Sequence, residues 1–210
     1  MQPDAGALDR TLKAAQGGEV AAFNTLILTY QRQVFNVCYR MLGNAEDAAD
    51  ATQDALLNAY RAVKSFNGPA TGLRSWLLRI AANTCYDQLR RRQRKPAESL
   101  DVLQAADADP EPSMAERLKD PRPGPEQQSL GAETARHIQQ AIDRLPPDQR
   151  LTVVLCDVQG LSYDEAAQIM SIELGTVKSR LSRARAQLRA LLTEKGELPV
   201  GSARLQQRSP

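Results

Sequence analysis

Between Phe23 and Met41 the apolar residues recur at helical spacing: Phe23, Leu26, Ile27, Tyr30, Val34, Val37, Cys38 and Met41. Steps of mostly three and four residues place all eight on one face of an α-helix, whereas a strand would scatter them over both faces. Gly43-Asn44 breaks this helix, and Asn44 with Asp47 three residues on is a helix-start signal. The next stripe is Ala48, Thr52, Ala55, Leu56, Ala59 and Val63. A short helix from Leu8 to Ala15, ended by Gly17-Gly18, precedes these two. A loop from Phe66 to Gly72 follows them, and then a long helix from Ser75 to Arg94. No strand-like alternation and no internal repeat stands out. Aromatic residues are 4% of the chain, so its cores rest on Leu, Ile, Val and Ala, which favours helices. The expected fold class is all-α.

Six of the twelve prolines lie between Pro96 and Ala132, where no period is sustained. That stretch reads as a flexible linker. A second helical block starts near Glu133, is divided by Pro146-Pro147, and continues beyond Gly160. The expected organisation is two small helical domains, residues 8–95 and 133–193, joined by a linker at 96–132 and followed by a frayed tail at 194–210.

The net charge of +2 hides a strong pattern. Arg74 to Lys95 holds seven bases against Asp87, and Ile172 to Leu192 holds five against Glu173. The stretch between them, Pro96 to Ala132, holds eight acids and three bases. Two basic segments separated by an acidic one imply two polyanion-binding surfaces. Cys38, Cys85 and Cys156 are far apart, no CxxC exists, and His137 is the one histidine. Disulfide frameworks and zinc sites are not expected, and neither is a cofactor, a metal or catalysis. No run reaches membrane-spanning length and the N-terminus lacks a signal pattern, so a cytoplasmic protein without membrane insertion is expected.

Ser162 and Glu165 form an S-x-x-E helix start, and a turn near Ser171-Ile172 leads to a second helix with the stripe Val177, Leu181, Ala184, Leu188 and Leu191. Its other side carries Lys178, Ser179, Ser182, Arg183 and Arg185, with Thr176 and Arg180 on a flank. Two short helices and a tight turn, the second rich in Arg and Ser, suit a major-groove reader. From charge alone, a solvated amphipathic helix in a bundle fits equally well.

The wording of the motifs separates the two. Leu145-Pro146-Pro147-Asp148-Gln149-Arg150, Gly160-Leu161-Ser162-Tyr163-Asp164-Glu165-Ala166-Ala167 and Gly175-Thr176-Val177-Lys178-Ser179-Arg180-Leu181-Ser182-Arg183-Ala184-Arg185 resemble the fourth region of extracytoplasmic-function (ECF) sigma factors of the sigma-70 family. The resemblance implies a −35 promoter contact by Thr176, Lys178, Ser179, Arg180 and Arg183. Ser171 stands where the family usually has Gly, and Glu173 where it often has Pro or Ser.

The N-terminal block resembles the second region of the same family. Glu46-Asp47-Ala48-Ala49-Asp50-Ala51-Thr52-Gln53-Asp54-Ala55 looks like the segment that binds core RNA polymerase, which implies contacts by Glu46, Asp47, Asp50, Gln53 and Asp54. The run Ser75 to Arg92 looks like the −10 reader, with Arg79, Asn83, Asp87, Arg90 and Arg91 as its contacts and Arg94 on the same face. The loop from Phe66 to Leu73 lies where the family captures an unstacked base of melted DNA. Trp76 suits a core better than a stacking platform. Family resemblance also implies an anti-sigma factor covering both basic surfaces. Two rival functions remain open to test: a stand-alone helix-turn-helix regulator, and a recombinase-type enzyme for which Tyr86 is the one nucleophile candidate.

Overall fold

The computed structural model describes residues 5–94 and 125–194. Most of the stretch expected as a linker, and the tail beyond 194, lie outside the described residues. Among the described residues there are α-helices and short helical turns and no strand. No described helix is long and apolar enough to cross a membrane. The chain divides into two compact units, one built on the helices before residue 95 and one on those after residue 124.

The first unit holds α1 (Ala5–Gln16), α2 (Val20–Leu42), α3 (Ala45–Ala62) and α4 (Leu73–Arg94). Helix α2 packs on α1, α3 and α4, and α3 packs on α4. All eight residues of the expected α2 stripe are buried. Gly43 ends α2 with φ 87°, a left-handed conformation that Gly adopts without a Cβ penalty, and its N–H donates to the Tyr39 carbonyl at 2.9 Å. Asn44 then caps α3: its side-chain oxygen accepts from the Asp47 N–H at 2.8 Å. The reciprocal half of a capping box is absent here, because the Asp47 carboxylate turns to the Asn44 side-chain amide and to Arg92 of α4.

Helix α3 buries Ala48, Ala51, Thr52, Ala55 and Ala59. Deep in the same unit, Cys38 of α2 and Cys85 of α4 are fully enclosed and their thiols hydrogen-bond to each other. That hydrogen bond and burial together raise Cys85 above the ordinary thiol range. Both behave as small core residues.

The second unit holds α5 (Pro125–Asp143), α6 (Pro147–Val153), α7 (Tyr163–Met170) and α8 (Leu174–Glu194). Helix α5 starts eight residues before the expected boundary at Glu133 and so runs into the stretch read as linker. Pro125 occupies its first position, which tolerates a residue without an N–H. Pro147 likewise opens α6, and a π-helical turn at Val154–Val158 extends that helix. The buried Arg150 reaches back from α6 to donate to the carbonyls of Asp143 and Leu145, the latter at 3.3 Å, and its guanidinium lies 3.6 Å from the Asp143 carboxylate. It thereby satisfies backbone groups that the end of α5 leaves open. Leu145, Val153, Leu181 and Ala184 form one cluster of the core, with Cys156, Tyr163 and Leu188 packed against it.

The turn between α7 and α8 places Ser171 at φ 55°, the one non-glycine residue with positive φ among those described. A left-handed conformation costs an L-residue about 1–2 kcal/mol, and glycine's extra chain entropy offsets about 0.5–1 kcal/mol of that. Ser171→Gly is therefore expected to stabilise the chain by about 0.5–1 kcal/mol, read as a higher denaturant midpoint with an unchanged slope.

Candidate nucleic-acid interface

Helix α7 begins with the expected capping box. Ser162 accepts at Oγ from the Glu165 N–H at 3.2 Å, and the Glu165 carboxylate accepts from the Ser162 N–H at 2.9 Å. The Glu173 carbonyl receives the first amides of α8, from Thr176 at 2.9 Å and Val177 at 3.2 Å. Val177, Leu181 and Ala184 are buried, so the opposite side of α8 faces outward. Lys178, Ser179, Ser182 and Arg183 are exposed there, and Thr176 is half-buried on the edge.

Two arginines border the buried stripe, and both are held within the protein. Arg180 pairs with Asp148 of α6 at 2.7 Å. Arg185 makes a two-pronged pair with Asp157 of the π-helical turn: Nε donates at 3.0 Å and Nη2 at 2.5 Å. The Asp157 hydrogen bond raises the Arg185 pKa above its ordinary value, with Tyr163 adding to it. Such forked pairs fix orientation as well as adding energy. Neither acid stood out in the sequence, because each becomes relevant only when α6 and its extension pack beside α8. Cys156, next to Asp157, is half-buried, and burial pushes its thiol up to about 11.

In the first unit, Arg79, Asn83, Asp87, Arg90 and Arg94 are all exposed along one face of α4, and Arg91 is exposed beside them. Asp87 lies 3.9 Å from Arg90, a loose pair that water screens strongly. The loop before α4 is braced from within. The Phe66 ring packs against Trp76 with centroids 5.1 Å apart, and Gln16 donates to the Phe66 carbonyl at 2.7 Å. A Cβ on Gly68 would lie 2.7 Å from the tip of the Phe66 ring, so any other residue requires that ring to shift. Trp76 is half-buried in this pair rather than enclosed in the core.

On α3, Glu46, Asp50, Gln53 and Asp54 are exposed. Asp47 differs from them, since Arg92 and Asn44 engage its carboxylate. Beside this acidic face lies an apolar groove of about 630 Å³ between α2 and α3, with Val20, Phe23, Ile27, Leu57 and Tyr60 among its lining residues and Asp50 and Gln53 on it. Phe23 and Tyr60 meet edge to face at 5.1 Å. Val20, Leu57 and Tyr60 are unusually exposed for their size. The sequence reading missed this groove: Phe23 and Ile27 belong to the α2 stripe, and only the fold brings the exposed Val20, Leu57 and Tyr60 beside them.

Two sigma-70 patterns match the chain: region 2 over residues 26–95 and region 4 over residues 135–188. The ECF RNA polymerase sigma factor SigM of Mycobacterium tuberculosis is 38% identical over 86% of this chain and 82% of its own length. The ECF RNA polymerase sigma-E factor of Escherichia coli is 35% identical over 83% of this chain and 88% of its own.

The chain belongs to the ECF sigma factors.

Among solved structures it is similar to the sigma factor RpoE of Bartonella quintana, solved in complex with the anti-sigma factor NepR. That match has a TM-score of 0.63 and 29% identity, over 83% of this chain and 98% of that one. CnrH, solved with the cytosolic domain of CnrY, matches with a TM-score of 0.61 and 25% identity over 91% and 99%. Within this sigma factor, the expected −35, −10 and polymerase residues fall on exposed or edge positions of α8, α4 and α3. Arg180 and Asp47 alone among them carry an ion pair to a neighbouring helix in the same unit. The recombinase reading drops out with the family assignment, and Tyr86 is a half-buried residue of α4.

Burial opposes ionisation of Asp47, but Arg92 and Asn44 outweigh it and hold the carboxyl below its ordinary 3.8. A depressed folded-state pKa gives stability that is present above 3.8 and lost as pH falls through the lower folded value. Asp47→Asn is expected to lower the melting temperature at pH 7 and to shrink the further loss on acidification below pH 4, as followed by circular dichroism.

Proposed function

We propose that this sigma factor uses its two units as successive contacts of one initiation complex. Residues 8–95 bind core RNA polymerase and the −10 element, residues 133–193 bind the −35 element, and residues 96–132 connect them. The supporting observation is the segregation of faces: each unit buries one side of a long helix and presents a basic or polar strip on the other.

Helix α8 enters the major groove of the −35 duplex with Thr176, Lys178, Ser179 and Arg183 toward base edges and phosphates. Arg side chains pair with guanine O6 and N7, and Ser suits either donor or acceptor. Arg180 reaches DNA from its place beside Asp148, at the flank. On α4, Arg79, Arg90 and Arg91 take phosphates, while Asn83 and Asp87 offer groups to bases of the melted −10 strand. The loop stiffened by Phe66, Gly68 and Trp76 supports an unstacked base.

Core polymerase meets α3. Glu46, Asp50, Gln53 and Asp54 supply charge complementarity, and the groove between α2 and α3 supplies the apolar anchor that charges alone lack. The sigma factor contributes positioning and melting, and the polymerase contributes the chemistry. It works in the cytoplasm, where the polymerase and promoter are. An anti-sigma factor that covers the basic faces would hold it inactive, a relationship that the RpoE–NepR complex supports by analogy.

Reconstitution with core polymerase tests this directly. Specific initiation is expected only when both components are present, whereas a stand-alone regulator would bind its operator tightly without polymerase. Leu57→Asp is expected to weaken core binding about tenfold or more, in line with about 2 kcal/mol for a central apolar anchor, while duplex binding by α8 stays unchanged. Arg183→Ala is expected to relax −35 discrimination by about 1–3 kcal/mol. Retained initiation by Leu57→Asp at wild-type core affinity would remove the groove from the polymerase interface.

A further inference from the structure

The acidic stretch of α3 contains one residue that behaves unlike the rest. Glu46, Asp50, Gln53 and Asp54 are exposed, whereas Asp47 is half-buried and already partnered. Its Oδ2 takes both Arg92 Nη2, from the last turn of α4, and the Asn44 side-chain amide. Asn44 holds the same residue a second time, by accepting from the Asp47 N–H at 2.8 Å. The cap of α3 thus fixes the Asp47 backbone and carboxylate together, and Arg92 docks on a side chain that is already oriented.

The last turn of α4 has little else to hold it. Cys85 is the last buried residue of that helix, Leu89 is half-buried, and Arg90, Arg91, Arg92 and Arg94 are exposed. Arg90 and Arg94 stand one turn apart, a like-charge spacing that disfavours the helix. The final carbonyls of a helix also lack partners within it, so an unanchored last turn frays. Arg90 lies 3.9 Å from Asp87, a contact that ties the helix only to itself. Among the described residues, Arg92–Asp47 is the ion pair that joins this turn to another helix.

We propose that Asp47, although it lies in the stretch whose resemblance points to core polymerase, is a positioning residue for promoter opening: it pins Arg92, and so keeps the last turn of α4 helical with Arg90 and Arg91 presented to the −10 strand. The proposal rests on the −10 reading above and takes Asp47 out of the polymerase interface. A turn that is ordered beforehand binds phosphates without first losing chain entropy. Arg92 is committed to Asp47 and not to DNA. A polymerase contact at Asp47 would have to displace Arg92, whereas the exposed Glu46 and Asp50 offer charge without that loss.

The test uses holoenzyme reconstituted from core polymerase and the full chain, on a promoter that the wild-type holoenzyme selects from a random-sequence pool. Core affinity is read by fluorescence titration, −10 opening by permanganate reactivity of its thymines, and order in α4 by amide hydrogen exchange, well below each variant's melting temperature. Arg92→Gln and Asp47→Asn are each expected to bind core as the wild type does and to lower opening about threefold, the size of one half-exposed ion pair. The two changes alter net charge in opposite directions, so a shared loss does not come from bulk attraction to DNA. Exchange should quicken over residues 90–94 and not from Leu77 to Cys85. Arg92→Lys should keep most of the opening, and the double variant should be no worse than either single one, because the pair acts as a unit. Asp50→Asn, by contrast, should weaken core binding. Arg92 is exposed, so its variants keep the test sound where Asp47→Asn lowers stability. Wild-type opening in Arg92→Gln, or additive losses in the double variant, would overturn the positioning role. So would a gain of opening in Asp47→Asn, which would make Arg92 a DNA contact that Asp47 withholds. Loss of core affinity in Asp47→Asn equal to that in Asp50→Asn would return Asp47 to the polymerase interface. Wild-type opening in both Arg90→Ala and Arg91→Ala would instead remove the −10 reading itself, and the proposal with it.

Discussion

The first unit depends on how near α3 comes to its neighbours. Ala48, Ala51, Ala55 and Ala59 are each almost completely enclosed, so methyl groups alone fill the gap between α3 and the helices beside it. Larger side chains there would have to force the helices apart, at about 1–3 kcal/mol for each overpacked site. Thr52 fits the same stripe because its hydroxyl donates to the Ala48 carbonyl within the helix. With so little volume in the buried stripe of α3, bulk comes from α2 and α4, through Met41, Val34, Leu73 and Leu78. The close approach also frees the other side of α3 for acids and leaves an apolar groove beside them.

In the second unit the equivalent role falls to ion pairs at the margins of a helix. The buried stripe of α8 fixes which side faces in, but a single stripe leaves rotation and tilt loosely held. Asp148 on one flank and Asp157 on the other restrain both. Arg150 does similar work one element earlier, by joining the end of α5 to α6 through backbone carbonyls. The proline-rich motif around it therefore has an architectural role quite apart from any contact with DNA.

Much of this could be seen in the residues themselves. The period of α2 put eight residues on a buried face, and Ser162 with Glu165 marked the start of α7, because both signals are local and depend only on helix geometry. The exposed strip from Arg79 to Arg94 followed from spacing in the same way. Other features were not legible. The start of α5 at Pro125 was hidden by proline-rich composition, since proline at a first helical position and proline in a loop look alike in sequence. The pairs Arg180–Asp148, Arg185–Asp157 and Asp47–Arg92 join residues 28 or more positions apart, and only packing brings them together. Ser171 was visible as a departure from the family's usual glycine, but its cause, a left-handed backbone, became apparent only in the folded turn.

The two held arginines of α8 change how its genetics should be read. An alanine scan of the helix would find loss of function at Arg180 and Arg185 as readily as at Arg183, yet for different reasons: the first two changes also loosen the scaffold, whereas the third removes only a contact. Suppressors would separate them. A second-site change in α6 or its extension could compensate for a lesion at Arg180 or Arg185, whereas a lesion at Arg183 would be rescued by a change in the promoter.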